Sequence, residues 1–264
     1  MNLFWREIRA HRKALIIWCI GALILVAAGM NKFAVYSSSG QSMTEVISKM
    51  PKSLQVLLGM GPFDLATADG YYAFLFIYLV LMATIHAALI GSSVIAKEER
   101  DRTSEFLIVK PISRSTIITA KLLAALTNVL FINIITLISS IVFVNYFGKG
   151  VYQPSHIFIL IAGMFILQLI FMLLGTGIGA LSQKPKSAPS ITVIVLFVTY
   201  LLSMIIDLNS KLDFLQYFTP FKYFEAKNLL IANSFSLVFV IISILIMAAL
   251  LKLTYNGYQK RDFR

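Results

Sequence analysis

Twelve carboxylates, three histidines and one cysteine are the groups from which acid–base, nucleophilic or metal chemistry would have to be built in this 264-residue chain. Their spacing supports none of the three. His11, His86 and His156 stand on different segments, and no H-E-x-x-H, G-x-S-x-G or Cys/His ligand pattern occurs. Cys19 lies alone in an apolar run, which leaves no internal disulfide or thiolate cluster and makes it a small packing residue. No G-x-x-x-x-G-K-[ST] loop is present to cradle nucleotide phosphates. The residues therefore offer no catalytic, metal or cofactor site within the chain.

The carboxylates carry a second message. Glu7, Glu45, Asp64, Asp69, Glu98, Glu99, Asp101, Glu105, Asp207, Asp213, Glu225 and Asp262 all avoid the middle of the long apolar runs. Transporters driven by protons or sodium commonly place acids inside the membrane for that purpose. Without them, the chain is either passive or takes its energy from a partner.

Those apolar runs set the fold class. Mean hydropathy is +0.83, with 58% hydrophobic and 13% charged residues, about half the charge of a soluble domain. Six runs, at 14–35, 71–95, 117–147, 156–181, 188–206 and 234–253, each reach the roughly 17–20 residues a helix needs to cross lipid. They lack the alternation of barrel strands. The expectation is an all-α membrane protein of six transmembrane helices over a single domain, 1–264. Sixteen of the 23 Lys and Arg residues fall on the side holding both termini and the connections between runs two and three and between runs four and five. The positive-inside rule puts that side in the cytoplasm. The net charge of +11 is thereby read as loop orientation rather than nucleic-acid binding. Basic residues ahead of the first run resemble a secretory signal; the run is read instead as a retained anchor.

Two cytoplasmic features stand out. Residues 2–13 form an amphipathic pattern, with Phe4 and Ile8 on one side and Arg6, Arg9 and Lys13 on the other. Such a helix suits the lipid interface, either as a plain basic flank or as a lever touching a cytoplasmic partner. The second is KEERDRTSEFLIVKPISR, Lys97 to Arg114, whose first six residues are all charged. Glu98 and Arg102 are a favourable i,i+4 pair, and Pro111 must end or kink the helix. A solvated loop is the plain interpretation, yet such a loop needs no Phe106–Val109 stretch behind its charges. An apolar patch rimmed by charge suits docking onto a soluble protein.

Glu99-x-x-x-Thr103-x-Glu105-x-Leu107, followed by Pro111, Ser113-Arg114 and Lys121, resembles the first cytoplasmic loop of type 2 ABC exporter permeases, with Arg102 where glycine is usual. MPKSLQVLLG from Met50, DLATADGY from Asp64 and LQYFTPFKYF from Leu215 are similar to the family's external segments, so the resemblance runs along the whole chain. It implies a cytoplasmic coupling segment at 97–113 that docks on a separate ABC ATPase. Glu98, Glu99, Arg100, Arg102, Thr103, Glu105, Phe106 and Leu107 would lie at that contact, with Phe4, Arg6, Ile8 and Arg9 on an N-terminal interfacial helix. It also implies a second permease chain, identical or similar, surrounding lipid in a bacterial cell membrane, and ATP and magnesium held by the partner rather than here. The cargo would be hydrophobic or amphipathic: an antimicrobial peptide, an antibiotic or a lipid. An ATPase-independent secondary transporter or channel is the alternative. Smaller expectations are helix-to-helix hydrogen bonds from Asn128, Asn133 and Gln168, a packing or path-lining His86, a close helix crossing at Gly175-x-x-x-Gly179, and an external segment over 207–233.

Overall fold

The computed structural model describes residues 3–38, 50–57, 63–100, 112–182, 184 and 186–260. In chain order its elements are α1 (Leu3–Ser38), α2 (Lys52–Leu57), α3 (Ala68–Arg100), α4 (Arg114–Phe147), α5 (Pro154–Leu181) and α6 (Ala188–Leu208). Two 3₁₀ segments, Ser210–Phe218 and Pro220–Lys222, follow, then α7 (Ala226–Ala232) and α8 (Leu237–Gln259). Six of these helices, α1, α3, α4, α5, α6 and α8, are long and apolar enough to cross a membrane. No strand occurs among the described residues. The protein is an all-α, multi-pass membrane protein.

The core centres on α3 and α5, where Phe76, Leu79, Leu160, Met164 and Phe171 are sealed from solvent. Glycines allow the two backbones to touch. A Cβ on Gly91 would lie 2.1 Å from the Met172 carbonyl oxygen, and one on Gly175 would lie 2.5 Å from that of Ala88. Gly179 continues the seam against Ser92. The Gly175-x-x-x-Gly179 spacing is therefore a packing device, as small residues at helix crossings in lipid tend to be.

Buried polar groups pin the register of the neighbouring helices. Asn133 Nδ2 of α4 donates to Gln168 Oε1 of α5, and Gln168 Nε2 donates to the Ala83 carbonyl of α3 at 3.2 Å. Asn128 differs from expectation: its amide nitrogen donates to Ala124 O in its own helix. Near the opposite ends of α3 and α4, Tyr72 Oη donates to Ser140 Oγ at 2.7 Å. Thr176 of α5 meets Thr254 of α8 at 3.0 Å. His86 is buried and its ring lies edge-on to Trp18 of α1, with centroids 5.5 Å apart, so it packs between helices.

The N-terminal helix expected over 2–13 is not a separate element. Residues 3–13 are the opening turns of α1, which runs 36 residues without a break. The cause is local: no glycine or proline occurs before Gly21 to interrupt the hydrogen-bond ladder. At 1.5 Å per residue the helix is about 54 Å long, well beyond the roughly 30 Å hydrocarbon core. The sidedness of its start persists, with Phe4 and Ile8 half-buried and Arg9 and Lys13 exposed.

Candidate coupling site at the basic end

The start of α1, the end of α3, the start of α4 and the end of α8 meet at one end of the bundle, the end that carries most of the basic residues. Of the residues expected to dock a partner, Glu98, Glu99 and Arg100 belong to the last turn of α3. Arg102, Thr103, Glu105, Phe106 and Leu107 lie outside the described residues, as does most of the 97–113 segment. The frame that carries this segment is described on both sides.

On the α4 side the helix begins at Arg114, capped by Ser113, whose Oγ accepts from Thr116 N at 3.2 Å. A serine cap fixes the point where chain becomes helix by satisfying one of the open amide donors. Arg114 Nη1 donates to the Gln259 carbonyl at 2.6 Å, and Gln259 Nε2 returns a bond to Ser115 Oγ at 3.2 Å. One turn deeper, Thr119 and Tyr255 hydroxyls meet at 2.8 Å. Three contacts thus bind the head of α4 to the tail of α8.

Deeper still is a feature that hydropathy alone conceals. Lys121 is 0% exposed and Glu7 only 2%. Lys121 Nζ lies 3.8 Å from Glu7 Oε1 and donates to the Val94 carbonyl of α3. Glu7 Oε1 also accepts from Arg6 at 3.1 Å, while Glu7 Oε2 has no hydrogen bond among the described residues. Burying an unpaired charge is costly, and truncating one partner of a buried pair typically destabilises by about 3–5 kcal/mol. This cluster joins α1, α3 and α4 near the last turns of α3 and the first turns of α4. In the sequence, Glu7 and Lys121 read as two more charges in basic flanks; the available signal was Lys121 standing alone among Ala120, Leu122 and Leu123.

The opposite end is organised by carboxylates. Asp69, in the first turn of α3, accepts from Gln153 N at 3.0 Å and lies 3.1 Å from His156 Nδ1, closing the α4–α5 connection. The 207–233 segment is a folded cap whose two faces differ. Phe214, Tyr217 and Phe218 are exposed, whereas Phe221, Tyr223 and Phe224 are buried, Phe221 against Phe171 and Tyr200. Lys222 Nζ donates to Asp207 and, at 3.1 Å, to Glu225 Oε1. Burial raises the Glu225 carboxyl above its ordinary value, against the opposing pull of Lys222. A cavity of about 90 Å³ lies there among Phe76, Tyr200, Ser203 and Phe224, room for a few waters and not for a bulky cargo.

No group of three or more His, Cys, Asp or Glu residues suited to a metal ion occurs among the described residues. What the basic end offers is a set of helix ends held together by side-chain contacts between α1, α3, α4 and α8. A family model described as "ABC-2 family transporter protein" matches residues 1–263. No curated protein matches the chain.

Proposed function

The chain belongs to the ABC-2 transporter family, and from that premise we propose that it is the permease subunit of an ATP-driven exporter, powered by a separate cytoplasmic ABC ATPase. The match across nearly the whole chain carries this proposal. The frame at the basic end supports it, because the segment bearing Glu99, Thr103, Glu105, Phe106 and Leu107 leaves α3 and enters α4 between clamped helix ends. Nucleotide-driven closure of the ATPases would push on this segment and on the opening turns of α1. The spans would tilt in response and open a path between two permease chains, identical or similar. The chain itself catalyses nothing, and ATP and magnesium belong to the partner.

The cargo is a hydrophobic or amphipathic molecule, an antimicrobial peptide, antibiotic or lipid, leaving a bacterial cell. The absence of carboxylates from the middle of the spans supports an apolar cargo over a small-ion pore. The test is reconstitution in proteoliposomes with the ATPase that co-purifies with the chain. ATP-dependent export is expected, and charge reversal by Glu99→Lys with Glu105→Lys should abolish the permease's effect on ATP hydrolysis. Flux through the permease alone, with no ATPase present, would instead establish a channel or secondary transporter.

A further inference from the structure

We propose that Glu7 and Lys121 form a joint that makes the opening turns of α1, the last turns of α3 and the first turns of α4 move as one body. Displacement of the segment between α3 and α4 is thereby delivered to the first span. This role rests on the ATPase-coupled function proposed above, and it adds two positioning residues that lie outside the docking surface.

The placement of one cation carries this role. Lys121 is wholly buried and reaches two other helices at once, Glu7 of α1 at 3.8 Å and the Val94 carbonyl of α3. Val94 is three residues before Lys97, where the docking segment begins, and Lys121 is seven after Arg114, where it ends. Both attachments are within about 10 Å, along their helices, of the point where force enters.

Lys121 stands in its helix beside Ile117, Ile118 and Leu122, which belong to a buried apolar cluster, and a leucine or methionine there would carry no cost of desolvating a charge. Apolar contact is non-directional and lets helices slide past one another. A charge hydrogen-bonded to one helix and ion-paired to another fixes their register, because parting from either partner gives up a directional, charge-assisted contact in a low dielectric. Glu7 faces inward from a stretch in which Arg9, Arg12 and Lys13 face out and Arg6, half-exposed, pairs with Glu7 itself. That exception places a rigid contact, and not merely adhesion, between α1 and its neighbours.

The test uses the assembled exporter in proteoliposomes, with Cys19→Ser as background and spin labels on cysteines replacing Ala10 and Leu123, both exposed. The Ala10–Leu123 distance should be single and unchanged between the nucleotide-free and ATP–vanadate-trapped states. In Glu7→Gln it should broaden, and stimulation of ATP hydrolysis by the permease should fall roughly tenfold or more, as befits loss of a buried ionic partner. Glu7→Asp should recover part of the stimulation. The double variant Glu7→Gln with Lys121→Met, which removes both charges of the pair, should assemble and remain uncoupled; a merely structural pair would regain coupling there.

A wild-type distance that shifts with nucleotide overturns the joint, as does a Glu7→Gln or double variant with normal coupling. An assembled wild type without nucleotide-dependent activity overturns the ATPase-coupled function, and the joint with it. An active wild type beside indifferent variants overturns the joint alone.

Discussion

At the scale of single residues, the buried polar groups differ in how far each depends on its partner. Tyr72 and Ser140 show how unequal two partners in one bond are. Removing the tyrosine hydroxyl leaves Ser140 free to turn toward the carbonyl one turn back in its own helix, as buried helical serines do. Removing the serine hydroxyl strands a wholly buried phenol that has no such alternative. Tyr72→Phe should therefore cost about 0.5–1.5 kcal/mol and Ser140→Ala about 1–3 kcal/mol. Thermal unfolding in detergent would rank them, and the reverse order would show that Ser140, not Tyr72, depends on the pair. The same contrast explains what was legible from sequence. Hydrogen bonding between Asn133 and Gln168 follows from the scarcity of donors in lipid, and any amide at such depth seeks a partner. The pairing of Glu7 with Lys121 was not legible, because each charge alone is ordinary flank composition. Only the register of α1 against α4, set by all the apolar contacts between them, brings these residues together.

At the scale of elements, all six spans were visible because a run of about 20 apolar residues is dictated by bilayer thickness. Their ends were less visible. By hydropathy the first run begins at Ala14, just after Arg12 and Lys13, yet charged residues with good helix propensity carry the helix back to Leu3. Glycine positions decide which helices touch. Alanine at Gly91 or Gly175 would drive a Cβ into a backbone carbonyl at 2.1 or 2.5 Å, so loss should reach or exceed the roughly 1–3 kcal/mol of ordinary overpacking. Alanine at Gly21 meets nothing closer than Met82 Sδ at 3.8 Å and should be neutral or stabilising by up to about 1 kcal/mol through helix propensity. Unfolding midpoints of the three variants check both signs. The 207–233 cap makes a separate prediction. Glu225 has its carboxyl raised chiefly by burial, so its protonated form is the one the fold prefers. A raised carboxyl contributes stability at low pH that is lost as pH climbs through its folded value. Relative to Glu225→Gln, the wild type should gain stability as pH falls from neutral toward the ordinary value of 4.5. A wild-type advantage that shrinks on acidification would instead make the ion pair with Lys222 the dominant influence.

At the scale of the whole molecule, the bundle has two unlike ends, so its orientation decides which of them a cytoplasmic partner can reach. The basic end gathers the opening of α1, the α3–α4 connection, the α5–α6 connection and the tail of α8. The other end holds the 207–233 cap and the Asp69–His156 contact. Retention of Lys and Arg on the cytoplasmic side is a bias of membrane insertion that operates on short loops near helix ends, and the connections here are of that kind. In a Cys19→Ser background, cysteines replacing Tyr36 and Phe214, both exposed at the cap end, should react with a membrane-impermeant maleimide in intact cells. Cysteines replacing Arg12, Lys184 or Lys260 should react only after the membrane is permeabilised. The opposite pattern would put the Lys97–Arg114 segment outside the cell, where no ATP-hydrolysing partner works, and the clamp of Glu7, Lys121 and Val94 would then brace an end that receives no force.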